Sequence, residues 1–215
     1  MLKVKGVLID LDGTIVDSRE AYTEALKIAC KTLGIKNFNP VIALEIPRRL
    51  EQNQPIKDLI YEINVEKFLD TYLKTYYSIT EYKTKLLPNV SKTLKELSKR
   101  TKLALLTMRR VPKENIWKEL EKFGIAKHFH CIVTALDTPF PKPSPKAIVA
   151  CAEKLCVKIG ECAVVGDSVS DVKAGKNAGA KTVAVLSGIF SREELARENP
   201  DLIIADLNEL LRVLG

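Results

Sequence analysis

A parallel α/β sheet with helices on both faces, interrupted by a helical insertion after its first strand, is the fold class this sequence predicts. Three observations carry it. Short runs rich in branched apolar residues recur along the chain, as in Val4–Ile9 and Leu103–Thr107. From about residue 88 onward these runs alternate with segments of helical periodicity, the pattern of βαβ units. Between the first run and the second lie about 90 residues, far more than one crossover helix requires.

The elements follow in order. Val4–Ile9 is the first strand, and Ala21–Leu33 reads as a helix with Ser18 as its N-cap and Gly34 near its end. The proline-bounded stretch NPVIALEIPRRLEQNQP reads as irregular. Residues 56–80 read as helical again, with Ile60, Ile63, Phe68, Leu69 and Tyr72 as apolar positions. The sequence LLPNV at 86–90 marks the return to the sheet. Val90–Lys99, Lys113–Phe123 and Pro145–Leu155 bring apolar residues to positions three and four apart, as helices do. Strands are expected at Leu103–Thr107, Ala163–Val165 and Thr182–Leu186, with weaker ones at Cys131–Val133 and Leu202–Ala205. The expected division is therefore a core of residues 1–14 and 86–215 with an inserted helical domain of 15–85.

Composition narrows the function classes. Apolar residues at 46% and charged residues at 28% suit a globular chain that buries a core. No apolar run approaches the roughly 18 residues that span a bilayer. The N-terminus, MLKVKGVLID, enters a strand directly and lacks the features of a signal peptide, so a cytoplasmic location and no membrane partner are expected. Five cysteines without a CxxC pair fit the same compartment, as small hydrophobes with reduced thiols. The net charge of +7 is spread along the chain and mixed with Glu, which argues for a solvated surface and against nucleic acid. His128 and His130 alternate along an expected strand but find no third ligand, and Trp117 reads as packing on an amphipathic helix.

One stretch does not read as ordinary core. VLIDLDGTIVDS ends an apolar strand with Asp10 and Asp12, then Gly13 and Thr14. Ligands of open parallel sheets bind at the carboxyl ends of strands, and residues two apart on a strand point the same way. Like charges that close call for a cation, and a hard divalent ion such as Mg²⁺ suits a few carboxylates shared with water and phosphate. Thr14 offers a hydroxyl and an N–H to an anion. Downstream, AVVGDSVSDVKAG repeats the pattern with Asp167 and, one helical turn on, Asp171. LALLTMRR puts Thr107 at another strand end, and FPKPSPKA places Lys142 in a proline-stiffened loop before a helix.

The order DxDGT, strand-terminal Thr, KPxP and GDSxxD resembles the haloacid dehalogenase superfamily, most closely its phosphoglycolate-phosphatase-like members with a helical cap. The motifs fall in order along nearly the whole chain, and the insertion sits where that group carries its cap. The resemblance implies a Rossmann-like core and an Mg²⁺-dependent phosphatase acting on a small phosphorylated metabolite. It makes Asp10 the nucleophile that becomes an aspartyl-phosphate, and Asp12 the acid and then the base. Metal ligation is implied for the Asp10 carboxylate, the Asp12 backbone carbonyl and Asp167, with Asp171 in support. Thr107 and Lys142 are implied to bind phosphoryl oxygens, Lys142 also holding Asp10 ionised.

The chain departs from the family pattern after Thr107, where Met108, Arg109 and Arg110 stand in place of the usual Asn. Arg109 is a candidate for a second anionic group of the substrate, although adjacent arginines after a strand also read as surface. Arg48 and Arg49, in the middle of the insertion, are candidates for a substrate carboxylate or second phosphate. A phosphomutase on the same scaffold and a non-catalytic phosphate-binding module stand as alternatives. A dehalogenase is disfavoured because halide displacement needs neither Asp12 as acid nor a metal.

Overall fold

The computed structural model describes residues 1–35, 38–60 and 64–214. Their Cα packing separates two compact units, one of Met1–Val16 with Leu86–Gly215 and one of Asp17–Lys85. In chain order the elements are β1 (Gly6–Asp10), β2 (Val16–Asp17), α1 (Arg19–Thr32), α2 (Ile42–Glu51), α3 (Val65–Lys83) and β3 (Lys85–Leu86). They continue with α4 (Val90–Leu97), β4 (Lys102–Leu106), α5 (Lys113–Lys122), β5 (Cys131–Val133), α6 (Lys146–Leu155) and β6 (Cys162–Gly166). The chain then forms α7 (Val169–Ala178), β7 (Lys181–Val185), α8 (Arg192–Arg197), β8 (Leu202–Ile204) and α9 (Leu210–Val213).

Six strands make one parallel sheet in the order β5-β4-β1-β6-β7-β8. The chain therefore builds outward from β1 on one side through β4 and β5, then crosses back and builds outward through β6, β7 and β8. That reversal leaves a crevice at the carboxyl end of β1, where ligands of such sheets bind. Both faces of the sheet are buried. Val7 and Ile9 of β1, Leu103 and Leu105 of β4, and Ala163 and Val165 of β6 pack on one face with Leu94, Ile116, Leu120 and Leu210. Their alternates Leu8, Ala104, Leu106 and Val164 pack on the other with Ile148, Cys151, Leu155 and Ala174. The period of two in each strand divides one apolar run between two helical layers, which is why these strands read as continuous hydrophobic stretches.

The helical unit has its own core, in which Ala25, Leu26 and Ala29 of α1 meet Phe68, Tyr72 and Tyr76 of α3. Helix α1 starts after Ser18, whose side chain makes no capping bond; the Asp17 carboxylate accepts from the Arg19 N–H at 3.1 Å instead. Gly34, at φ +74°, ends it.

Four expectations are corrected. The proline-bounded stretch is not irregular but contains α2, with Pro47 inside it. Ala43, Ile46 and Pro47 share one buried face, so burial outweighs the backbone bond that proline cannot donate. The helix expected over 56–80 starts only at Val65, where Asn64 caps it by accepting from the Lys67 N–H at 2.9 Å. Ile60 is buried ahead of that helix, and Ile63 lies outside the described residues. His128 closes a 3-10 turn rather than lying on a strand, and β5 begins only after His130. The Nδ1 atoms of the two histidines meet the Ser98 hydroxyl at 3.2 Å and the Leu103 N–H at 3.3 Å. All five cysteines are free, but Cys156 is exposed and Cys131 half-buried, so only Cys30, Cys151 and Cys162 behave as the buried hydrophobes expected.

One polar contact pins the far side of the sheet. Asp201 accepts from the Thr182 N–H at 2.8 Å and from its hydroxyl at 3.1 Å. Burial pushes the Asp201 carboxyl up, but the Thr182 donors and the nearby Lys181 outweigh it and hold the group below its ordinary value. A carboxyl lowered by folding adds stability that is complete above its unfolded pKa and is lost as pH falls through its folded one. The melting temperature of the wild type is therefore expected to drop on acidification below about pH 4 more steeply than that of Asp201→Asn. Parallel slopes in a thermal melt series would contradict this.

Candidate active site

The three central strands, β4, β1 and β6, each deliver a polar residue at or just past the carboxyl end. β1 ends on Asp10, opposite Leu106 of β4, so Thr107 follows immediately on the neighbouring strand. β6 ends at Gly166, and Asp167 follows. All three are buried, as are Lys142 and Asp171. Every one belongs to the core unit.

Lys142 is 2% exposed, as are Thr107 and Asp171, and its placement explains the rest. Its ammonium donates to Asp10 Oδ1 at 2.7 Å and to Asp171 Oδ1 at 2.6 Å. Asp171 is further held by Ser168, whose backbone N–H and hydroxyl both donate to Oδ2, at 3.2 and 2.6 Å. In return the Asp171 N–H donates to the Ser168 hydroxyl at 3.2 Å, which closes a capping box at the start of α7. The helix start thus serves two ends: it satisfies its own first donors and presents a carboxylate to the sheet. Asp167 is set by two glycines, because a Cβ at Gly13 or at Gly188 would overlap its carboxylate. The Ile189 N–H donates to Asp167 Oδ2 at 3.3 Å, and the Ser187 hydroxyl ties the two loops by donating to the Gly13 carbonyl at 2.7 Å.

Asp10, Asp167 and Asp171 each offer a carboxylate oxygen, and these lie within 4.8 Å of one another. Against these three buried carboxylates the local cation is the Lys142 ammonium. Buried charge of one sign is costly unless it is compensated, and an all-oxygen donor set of this kind suits a hard divalent cation. The residues present fit such an ion. The Asp12 side chain is not in the cluster; both of its oxygens are taken by Arg109.

Thr107 and Lys142 line a common crevice with Thr134, Thr138 and Pro141. The Thr107 hydroxyl accepts from the Arg109 N–H at 3.1 Å, and its own N–H donates to the Val133 carbonyl. Thr14 is fully buried and its hydroxyl has no partner, while its N–H points at the Leu11 carbonyl at 3.4 Å. That corrects the expectation of an anion ligand here: the side chain is enclosed in the turn. Arg109 is also corrected, since it is neither surface nor open to a substrate anion. It is 3% exposed, between the carboxylates of Asp12 and Glu119. Arg48 and Arg49 lie in the helical unit and are drawn into its own ion pairs. Arg49 donates to Glu45 at 2.9 Å, to Asp58 and to the Pro55 carbonyl, and Arg48 sits 3.4 Å from Glu45.

Reading the sequence missed Gly188 and Glu119. Gly188 carried one signal, its position just after the strand end at Val185. Glu119 stands three residues from the buried Ile116 on α5, on the face that a helix turns inward, and its charge hid that.

A model of the family haloacid dehalogenase-like hydrolase matches residues 7–185. A phosphoglycolate phosphatase of Vibrio parahaemolyticus is 32% identical, with 99% of this chain and 96% of that protein covered. The pyrophosphatase PpaX of Bacillus velezensis is 30% identical, over 99% of this chain and 97% of that protein. Among solved structures, a haloacid dehalogenase-like family hydrolase of Streptococcus pneumoniae superposes with a TM-score of 0.85 at 20% identity, covering 99% of both chains.

The crowding around Asp167 makes a direct test of the carboxylate cluster. Gly188→Ala is expected to push the Asp167 carboxylate aside and weaken Mg²⁺ binding about 10-fold or more in calorimetric titration, with the circular dichroism spectrum unchanged. Unaltered affinity would show that Asp167 does not hold the ion.

Proposed function

From a chain that belongs to the haloacid dehalogenase-like hydrolases, with phosphatases among its relatives, we propose an Mg²⁺-dependent hydrolysis of a small phosphorylated metabolite through an aspartyl-phosphate on Asp10. The observation that carries it is the buried Lys142 ammonium between Asp10 and Asp171, with Asp167 beside them.

Asp10 is the nucleophile. Its carboxylate attacks phosphorus, and the bond to the leaving oxygen breaks with its electron pair going to that oxygen. Lys142 keeps Asp10 charged and oriented by its 2.7 Å contact, and with the Thr107 hydroxyl it meets the phosphoryl oxygens. Asp12 gives the leaving oxygen its proton, then takes one from the water that opens the aspartyl-phosphate. Asp10, Asp167 and Asp171, with the Asp12 backbone carbonyl, would hold Mg²⁺. That ion supplies charge neutralisation for the phosphoryl group. Catalysis here is positioning and electrostatics, and rigid strand ends are suited to both.

The substrate class follows from the relatives named above: a phosphate ester such as phosphoglycolate or a phosphoanhydride such as pyrophosphate. Five free thiols fit a cytoplasmic setting. A phosphomutase would differ in its product, a phosphorylated isomer in place of inorganic phosphate.

The test is phosphate release from p-nitrophenyl phosphate, phosphoglycolate and pyrophosphate, each with Mg²⁺ and with a chelator. Turnover that needs the metal and falls to background in Asp10→Asn is expected. Metal-independent turnover, or an active Asp10→Asn, would overturn the mechanism. A protein that binds Mg²⁺ yet turns over none of the three would be a phosphate-binding module.

A further inference from the structure

Among the described residues, the reaction outlined above leaves one buried cation unused. Arg109 follows the strand end at β4, and its guanidinium is enclosed between carboxylates from two different parts of the core unit. Nε donates to Asp12 Oδ2 at 2.8 Å and one terminal nitrogen to Asp12 Oδ1 at 2.7 Å. The other terminal nitrogen donates to Glu119. Side-chain exposure is 3% for Arg109, 4% for Glu119 and 15% for Asp12. Burying an arginine with two carboxylates is costly, and such clusters are often no more stable than an apolar replacement. What this arrangement does supply is orientation.

A guanidinium fork engaging both oxygens of a carboxylate fixes its plane, which a lysine ammonium cannot do. The fork is itself fixed. The Arg109 N–H donates to the Thr107 hydroxyl, and the Arg109 carbonyl accepts from the Ala135 N–H at 3.2 Å. Glu119 is carried by α5, which packs on β5 and whose Ile116 and Leu120 are buried in the core. A continuous path thus runs from a packed helix through Glu119 and Arg109 to the carboxylate of Asp12. A carboxylate presents about four lone-pair sites, and the fork takes one on each oxygen. Orientation is thus imposed on both oxygens at once.

We propose that Arg109 and Glu119 are positioning residues for Asp12 in the second half of the reaction, where water opens the aspartyl-phosphate. This rests on the phosphatase reading. In that step the water oxygen bonds to phosphorus, and the bond from phosphorus to Asp10 breaks with its electron pair returning to the Asp10 carboxylate. The proton lost by the water goes to an Asp12 oxygen. The water must sit in line with the breaking bond, so the direction of the Asp12 carboxylate sets how often the geometry is met.

The test uses the full chain with Mg²⁺ and p-nitrophenyl phosphate, whose leaving group departs without a proton. For this substrate kcat/KM reports the phosphorylation of Asp10, and kcat includes the hydrolysis that follows. The variants are Glu119→Gln, Arg109→Lys, and Arg109→Met combined with Glu119→Leu, the last leaving no uncompensated carboxylate at 119. In each, kcat is expected to fall, by about 100-fold in the double variant. Meanwhile kcat/KM is expected to stay within about threefold, and a burst of nitrophenolate near one per chain should precede the slow phase. Should the double variant not fold, the same split in the two single variants decides the matter. Equal losses in kcat and kcat/KM, or no loss, would overturn the proposal while leaving the phosphatase reading intact. A wild type without metal-dependent turnover would overturn both.

Discussion

The structure is organised around one buried ammonium. Lys142 reaches Asp10 and Asp171 at once, and neither carboxylate is accessible enough for bulk water to stabilise it. Removing Lys142 would leave both carboxylates uncompensated in a low-dielectric site, which is far more costly than never having buried them. The cluster thus demands a scaffold that brings three distant chain segments to one point and keeps them there. A parallel sheet whose central strands are adjacent, and whose strand order reverses at β1, meets that demand. The backbone ladder sets the heights of Asp10, Thr107 and Asp167, and the loop carrying Lys142 needs only to reach over them.

Much of this was legible because the same residues answer two physical demands. Val7–Ile9 is apolar throughout since both faces of β1 are covered, so the strand announces itself, and the aspartates that end it stand out by contrast. Asp167 and Asp171 are visible for the same reason at the end of β6. The helix in the proline-bounded stretch was hidden because its stability comes from a buried face, Ala43, Ile46 and Pro47, that local propensity disfavours. Arg109 and Glu119 were hidden for a related reason. A buried ion pair is indistinguishable in sequence from two solvated charges until the fold brings its halves together, here ten positions apart on different elements.

Glycine gives a third kind of illegibility. Gly13 could be read as a turn residue, and its φ of +81° agrees, but its second role depends on a partner 154 residues away, since a side chain there would strike Asp167. Gly188 has the same neighbour without the unusual backbone. Close approach between loops is a pairwise property, and a single chain read from end to end carries no record of it. The consequence is chemical: both glycines act on the carboxylate cluster without contributing a polar side chain to it.

In the proposed reaction, the two buried cations among the described residues divide the work according to their shapes. Lys142 is a compact charge on a flexible stem and, in the proposed reaction, can shift its donors among Asp10, Asp171 and an arriving phosphoryl oxygen without rebuilding the site. Such a group suits the nucleophilic role proposed for Asp10, in which charge and partners change at each step. Arg109 is planar, held at its backbone by Thr107 and Ala135 and at its tip by Glu119, and it gives Asp12 little freedom to turn. Exchanging the two side chains would preserve the charge count and fail on geometry. A lysine facing Asp12 would leave the plane of that carboxylate undetermined, and an arginine between Asp10 and Asp171 would bring a larger, planar group into the place where the proposed reaction brings phosphate. The departure from the family pattern after Thr107 therefore reads as a second means of fixing the site, built on the neighbouring strand and anchored in the helix behind it.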